Sequence, residues 1–142
     1  RHAHAWVGNT QGIRDYLTTH GMPIDRVHCI GNFVDTPARS DPATLDALRH
    51  QLGLDGCRIL LGLGRLHPYK GWADLLRAFA RLPASTQDAP LHLLMVGDGP
   101  LRKELETLSS QLGIAQRVHW AGWQPDPAPY YQLADVFACA SV

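Results

Sequence analysis

"LLGLGRLHPYKGWADLL", residues 60–76, joins a continuous apolar run to a turn carrying two cations and then to a second apolar pattern. Extended back to Arg58, the first run, "RILLGLG", has the length and unbroken apolarity of a strand buried on both faces. After the turn, "KGWADLLRAFARL" (70–82) places Trp72, Leu75, Leu76, Phe79 and Leu82 at helical spacing. A buried strand followed by an amphipathic helix is the opening half of a βαβ unit, so the turn between them is where a ligand would meet the sheet.

Two familiar phosphate fingerprints fail here. The dinucleotide pattern G-x-G-x-x-G has His67 at its third glycine, and no acid lies about 20 residues beyond it. A P-loop would need Gly-Lys-Ser/Thr, but Lys70 is followed by Gly71. What remains is elementary chemistry. Gly62 and Gly64 let a ligand approach the backbone, and Arg65 offers a planar fork of donors. Lys70 adds a point charge at the expected helix start, whose unpaired N–H groups favour an anion. Spacing alone leaves two readings open: a pyrophosphate cradle, or two solvated charges on a tight turn.

The same alternation continues outward. "TLDALRHQLG" (44–53) precedes the strand as a helix, with Leu45, Leu48 and Leu52 on one face. "LHLLMVG" (91–97) is a second buried strand, and "PLRKELETLSSQLG" (100–113) is a helix with Leu101, Leu105, Leu108 and Leu112 in one stripe. "RVHWAG" (117–122), "PAPYYQLA" (127–134) and "DVFACA" (135–140) supply a third strand, a short helix and a fourth strand. Right-handed βαβ crossovers and a parallel α/β sheet follow. Upstream, "AHAWVGN" (3–9) and "VHCI" (27–30) are strand-like. Between them "TQGIRDYLTTHG" (10–21) reads as a helix capped by Thr10, stopped by Gly21 and faced by Ile13, Tyr16 and Leu17. The prolines and turn formers of residues 31–44 mark a candidate domain boundary.

Two further strand ends deserve the same scrutiny as the first. In "VGDGPLRKEL", Gly97 and Gly99 flank Asp98, and Pro100 occupies the expected first helical position. Asp98 reads as a cap of that helix, and the glycines as room for a ligand; the two are compatible. Glu104 is a dipole partner, a surface charge or a partner of Arg65 or Lys70. In "VHWAGWQPD", Gly122 permits close approach, while His119, Trp120 and Trp123 either frame a flat ring or include one core tryptophan.

Bulk properties exclude several classes. The 142 residues hold 13 basic and 13 acidic side chains, so no global field points to nucleic acid or an anionic membrane. No run approaches the ~20 apolar residues of a membrane span. Cys29, Cys57 and Cys139 form no CxxC pair and read as buried free thiols in a reducing compartment. His2 and His4 lack a third ligand, so no metal site is expected. The chain opens on Arg1 and ends on "VFACASV", and it reads as an internal piece of something longer.

Taken together, "LGLGRLHPYKG", "LLRAFARL", "LHLLMVGDGPLRKELETLSSQLGI", "RVHWAGW" and "YYQLADVFACAS", in this order, resemble the nucleotide-binding half of a retaining GT-B glycosyltransferase of the family 4 type, the group 1 glycosyl transferases. The resemblance extends through "AWVGNTQGIRDYLTTHGMPIDRVHCIGNFVD", which is similar to the family's crossover. Its Asn-Gly-Val-Asp turn here reads Asn32-Phe33-Val34-Asp35, with Phe for Gly.

The resemblance implies a Rossmann-like parallel sheet with helices on both faces. It implies that residues 1–35 end an acceptor-side domain and that 36–142 form an incomplete donor domain. Arg65 and Lys70 would be the catalytic clamp on the donor's diphosphate. Gly62, Gly64, Gly97, Asp98, Gly99 and Pro100 would line the donor pocket, and the strand through His119, Trp120 and Gly122 would meet the base. The family's Glu-x7-Glu pair would lie beyond Val142, so the piece alone is expected to be inactive.

The implied reaction moves a hexose from a UDP- or GDP-sugar to an acceptor glycan or lipid-linked sugar with retained configuration, without metal or cofactor. The implied location is the cytoplasm or the inner face of the cytoplasmic membrane, with peripheral membrane contact through the missing N-terminal domain. A sugar-nucleotide epimerase, a phosphorylase or a non-catalytic scaffold of the same fold are the alternatives.

Overall fold

The apolar runs pair side by side. In the computed structural model, β3 (Arg58–Leu63) lies parallel to β5 (Ala89–Val96), in register from Arg58 opposite Leu91 to Leu63 opposite Val96. β6 (Val118–Gly122) pairs parallel with the other side of β5, and β7 (Val136–Phe137) with the other side of β3. A two-residue strand, β4 (Ser85–Thr86), adds antiparallel to the start of β5. The described residues are 3–33, 38–86 and 89–141. Arg1, His2, Val34, Asp35 and Val142, named above, lie outside them.

Period two along β5 divides its side chains between two cores. Leu93 and Met95 join Trp72, Leu75, Leu76 and Phe79 of α3 (Trp72–Ala80) and Leu105 of α4 (Arg102–Gln111). Leu94 and Val96 point to the opposite face, where they meet Ile59, Leu61, Leu54 and the Tyr130 and Leu133 of α5 (Ala128–Leu133). Leu45 and Leu48 of α2 (Pro42–Gln51) pack on that second core. The sheet is therefore parallel at its centre and covered by helices on both faces, as expected. Each fully buried Leu or Phe contributes about 1.5–3 kcal/mol relative to exposure.

The chain divides into two compact units, Arg1–Pro37 and Ala38–Val142. In the first, β1 (Trp6–Gly8) and β2 (Val27–Cys29) pair in parallel around α1 (Gln11–Thr19). Thr10 caps α1 as predicted, its hydroxyl accepting from the Ile13 N–H at 3.2 Å. No residue of α1 is buried, and Ile13 and Tyr16 remain exposed.

Several element ends differ from the sequence reading. α2 starts two residues earlier, because Pro42 suits a first helical position. α3 starts at Trp72 rather than at residue 70, because Gly71 is left-handed (φ +64°). Pro100 is not helical: it precedes Leu101, the N-cap of α4, which opens at Arg102. The fourth strand pairs over only two residues, extended by single bonds from the Asp135 N–H to the Ile59 carbonyl (3.0 Å) and from the Ala138 N–H to the Leu61 carbonyl (2.8 Å). The cysteines are not buried: Cys29 and Cys139 are exposed and Cys57 is half-buried.

Two polar anchors escape any periodicity. Arg49 donates from Nη1 to the Leu54 and Cys57 carbonyls (3.2 and 3.0 Å) and from Nη2 to the Leu133 carbonyl (3.2 Å), pairing the end of α5. Asp135 accepts the Ile59 N–H at 2.8 Å and an Arg58 Nη1 bond at 2.6 Å, tying β7 to β3. Partial burial opposes ionisation of Asp135, but the Ile59 N–H and the Arg58 guanidinium outweigh it and hold the carboxyl below its ordinary value. A depressed folded-state value means stability that is present above the unfolded carboxylate range and lost as pH falls through the folded value. Urea midpoints are expected to fall as pH drops below about 4, and Asp135→Asn should flatten that decline while lowering stability at neutral pH. Parallel pH dependences in the two proteins would contradict this role.

Candidate nucleotide-sugar site

Three parallel strands end side by side, and their following turns are tied together by main chain. The Gly64 N–H donates to the Val96 carbonyl at 2.9 Å, and the Gly97 N–H to the Gly122 carbonyl at 2.7 Å. Leu66 donates to the Asp98 carbonyl at 3.0 Å, and Leu101 to the Leu66 carbonyl at 3.2 Å. This zipper explains the glycines better than ligand clearance does. A Cβ on Gly97, whose φ is +127°, would lie 2.0 Å from the Gly64 carbonyl oxygen, and one on Gly99 would lie 2.5 Å from the Leu66 oxygen. Gly62 belongs to the core: its missing Cβ would meet Met95, Leu75 and Trp72 at 3.0–3.1 Å.

Beyond the zipper opens a half-enclosed cavity of about 420 Å³. The end of β3 contributes Leu63, Gly64 and Arg65, and the end of β5 contributes Val96, Gly97 and Asp98. Trp123, Gln124 and Pro127, past β6, close the third side. Its polar side chains are one guanidinium, one carboxylate, one amide and the indole of Trp123. A larger, shallower depression in the first unit, lined by Val7, Asn9, Ile13, Ile30, Asn32 and Phe33 among others, has no ionisable group among the described residues of its walls. The charged cavity at the carboxyl ends of the strands is the better candidate.

Arg65 is exposed, but its backbone is not free. The Trp72 indole Nε1 donates to the Arg65 carbonyl at 2.8 Å, so a core residue of α3 holds the turn that carries the cation. Sequence reading treats Trp72 as plain core and misses this. Asp98 does not cap α4: its Oδ1 accepts the N–H of Gly99 at 2.7 Å, and α4 has no side-chain cap. Glu104, exposed in the first turn of α4, pairs with neither Arg65 nor Lys70.

Other predicted site residues lie off the cavity wall. Lys70 ends a 3-10 turn, Pro68–Lys70, and its Nζ lies 5.4 Å from the centre of the Tyr69 ring. It is not at the start of α3; Gly71 intervenes, and its missing Cβ would lie 1.9 Å from the Ala140 carbonyl oxygen. On the Lys70 side, hydrogen bonding to Ser141 and the lysine charge hold the exposed Cys139 thiol below its ordinary value.

His119 and Trp120 point to opposite faces of the sheet rather than into the site. The His119 Nε2 meets the Nδ1 of His92 at 2.7 Å, and burial holds both imidazoles below their ordinary value. The Arg102 guanidinium lies 4.8 Å over the Trp120 ring. Pro100 and Gly99 shape the β5 turn without lining the cavity, and Gly122 enters the site only through its carbonyl. Gln124 is the residue that sequence reading missed altogether. The described residues contain no cluster of three or more potential metal ligands, and no helix is long and apolar enough to cross a membrane.

A parallel sheet covered by helices on both faces, with a charged cavity at the carboxyl ends of its strands, defines the doubly wound class of α/β domain, in which ligands bind at that edge. Residues 46–142 match the model of the family described as glycosyl transferases group 1, and the chain belongs to that family. It is 33% identical over 137 residues to the lipopolysaccharide core biosynthesis glycosyltransferase LpsE of Rhizobium meliloti, covering 95% of this chain and 36% of LpsE. It is 36% identical over 143 residues to the D-inositol 3-phosphate glycosyltransferase of Rhodococcus opacus, covering 96% of this chain and 31% of the relative. The chain thus spans about a third of the length of the curated relatives it matches.

Among solved structures, Anabaena HepE in complex with UDP and glucose superposes with a TM-score of 0.81 at 26% identity, over 98% of this chain and 38% of HepE. WaaG, a glycosyltransferase of lipopolysaccharide biosynthesis, superposes at 0.77 with 22% identity, over 95% of this chain and 37% of WaaG, and speaks to the fold alone.

Proposed function

We propose that the protein transfers a hexose from a nucleoside diphosphate sugar to a hydroxyl of a glycan or lipid-linked acceptor, with retention of anomeric configuration, as a family 4 type enzyme. The observation that carries the donor half is Arg65, set on the cavity at the carboxyl ends of β3, β5 and β6. A guanidinium there binds a diphosphate bidentately, and its contribution grows as the leaving nucleoside diphosphate gains charge. Lys70 is the second cation of the clamp in this reading, and its long side chain would leave the Tyr69 ring to reach the ligand. With two cations on the leaving group, no metal is required for that charge.

Support comes from HepE, which was crystallised with UDP and glucose, and from LpsE, whose name places it in lipopolysaccharide core synthesis. The relatives reported above carry glycosyltransferase names, which favours transfer over epimerisation or phosphorolysis. In the same reading residues 1–35 are the end of the acceptor-side domain and the interdomain crossover, and the protein works in the cytoplasm or at the inner face of the cytoplasmic membrane, where a lipid-linked acceptor is presented. The test is product analysis. Incubated with α-linked UDP- and GDP-hexoses and a saccharide acceptor, a protein of the relatives' full length that carries this chain is expected to yield an α-linked product in the first turnovers, read from the anomeric proton coupling by NMR. A β-linked product would overturn retention, and release of free epimerised sugar nucleotide would overturn transfer.

A further inference from the structure

Trp123 is the anomaly of the site. An indole on a folded surface is normally covered, yet this one is 71% exposed on the wall of the cavity. It is also held in place. The neighbouring Gln124 turns back, its Nε2 donating to the Ala121 carbonyl at 2.7 Å, which closes the turn after β6. Downstream, the Asp126 Oδ1 accepts the Ala128 N–H at 2.9 Å and fixes the start of α5, so the segment carrying Trp123 and Pro127 is anchored at both ends. Arg65 lines the same cavity. A cavity lined by both a cation and an exposed aromatic face on an anchored segment suits a ligand that is anionic at one end and a planar heterocycle at the other.

We propose that Trp123 is the stacking platform for the base of the donor nucleotide, and that Gln124 is the residue that orients it. This rests on the nucleotide-sugar reading of the cavity and adds to it the residue that binds the base. An aromatic face grips every base, and its grip grows with ring area, so Trp123 favours a purine over a pyrimidine at equal phosphate contacts. Gln124 lines the same cavity, and with its Nε2 committed to the Ala121 carbonyl, its Oε1 is the acceptor it has to offer a base.

The experiment is titration calorimetry on the whole protein with UDP, GDP and inorganic pyrophosphate, the last also in competition against UDP. Trp123→Ala is expected to weaken UDP and GDP about tenfold or more, GDP the more strongly, while pyrophosphate stays within about twofold. Trp123→Phe should recover most of the affinity but abolish the quenching of tryptophan emission that a stacked base causes. Because the indole is exposed, both variants should melt as the wild type does, which separates a binding role from a folding one. If Trp123→Ala leaves both nucleotides within twofold, or weakens pyrophosphate as much as the nucleotides, the platform assignment is wrong. The two readings fail separately, since Arg65→Ala without effect on pyrophosphate removes the diphosphate clamp and leaves the stacking result standing.

Discussion

In a protein of the relatives' full length that carries this chain, Arg65→Ala is expected to weaken UDP or GDP binding about 10- to 100-fold and to lower kcat/KM by about 10²–10³-fold, with the melting temperature unchanged. The binding loss is that of a charge-assisted bond to phosphate, about 1.5–3 kcal/mol. The larger kinetic loss follows because the diphosphate gains charge as the sugar departs, so the guanidinium stabilises the transition state more than the ground state. Stability should not change, since the side chain is exposed and the turn is held by the Trp72 indole through the Arg65 carbonyl, which the substitution leaves in place. Lys70→Ala provides the contrast. Its ammonium sits over Tyr69, off the cavity wall, so its loss should appear mainly in kcat. Calorimetry on both variants beside steady-state kinetics checks this. Equal nucleotide affinity in wild type and Arg65→Ala would remove the diphosphate clamp from the mechanism.

Gly97→Ala is expected to cost about 3 kcal/mol and to lower the melting temperature by roughly 10 °C. One methyl group is enough, because it would be placed 2.0 Å from the carbonyl oxygen of Gly64 at a φ of +127°. Neither atom belongs to a flexible side chain that could move aside. Relief requires separating the β3 and β5 turns, which breaks the Gly64-to-Val96 and Leu66-to-Asp98 bonds and displaces Arg65. Nucleotide affinity should therefore fall together with stability, unlike the pattern for Arg65→Ala. Thermal melting followed by nucleotide titration measures both, and a variant that melts within about 2 °C of the wild type would show that the turns are not in contact there.

Much of the second unit, Ala38–Val142, was legible in the sequence. The unbroken run Ile59–Leu63 and the run Leu91–Val96 announced buried parallel strands, and the 3.6-residue pattern of Trp72, Leu75, Leu76 and Phe79 announced a helix covering one face. Arg65 was singled out by charge beside glycine at a strand end, and it lies on the cavity. Legibility declined where the outcome depended on a second segment. Gly62 looked like clearance because a glycine before a basic turn suggests a ligand, whereas Met95 and the α3 side chains occupy that space. His119 and Trp120 looked like ring binders because they flank a strand end. Adjacent residues on a strand point to opposite faces, so at most one could have faced any given partner.

What the sequence determined by itself is the order of strands and helices, the two apolar faces of the central strands and the cation at the end of β3. These follow from periodicity within one segment and from the chemistry of single residues. The tertiary structure alone decided that Gly97 and Gly99 serve the neighbouring turn's backbone, that Lys70 rests on Tyr69, that of the three candidate rings only Trp123 lines the cavity, and that Gln124 joins it there. The physical reason lies in the cross-strand register. Hydrogen bonds such as Gly64 to Val96 and Gly97 to Gly122 join positions far apart in the chain, and no local pattern encodes which main-chain groups will meet.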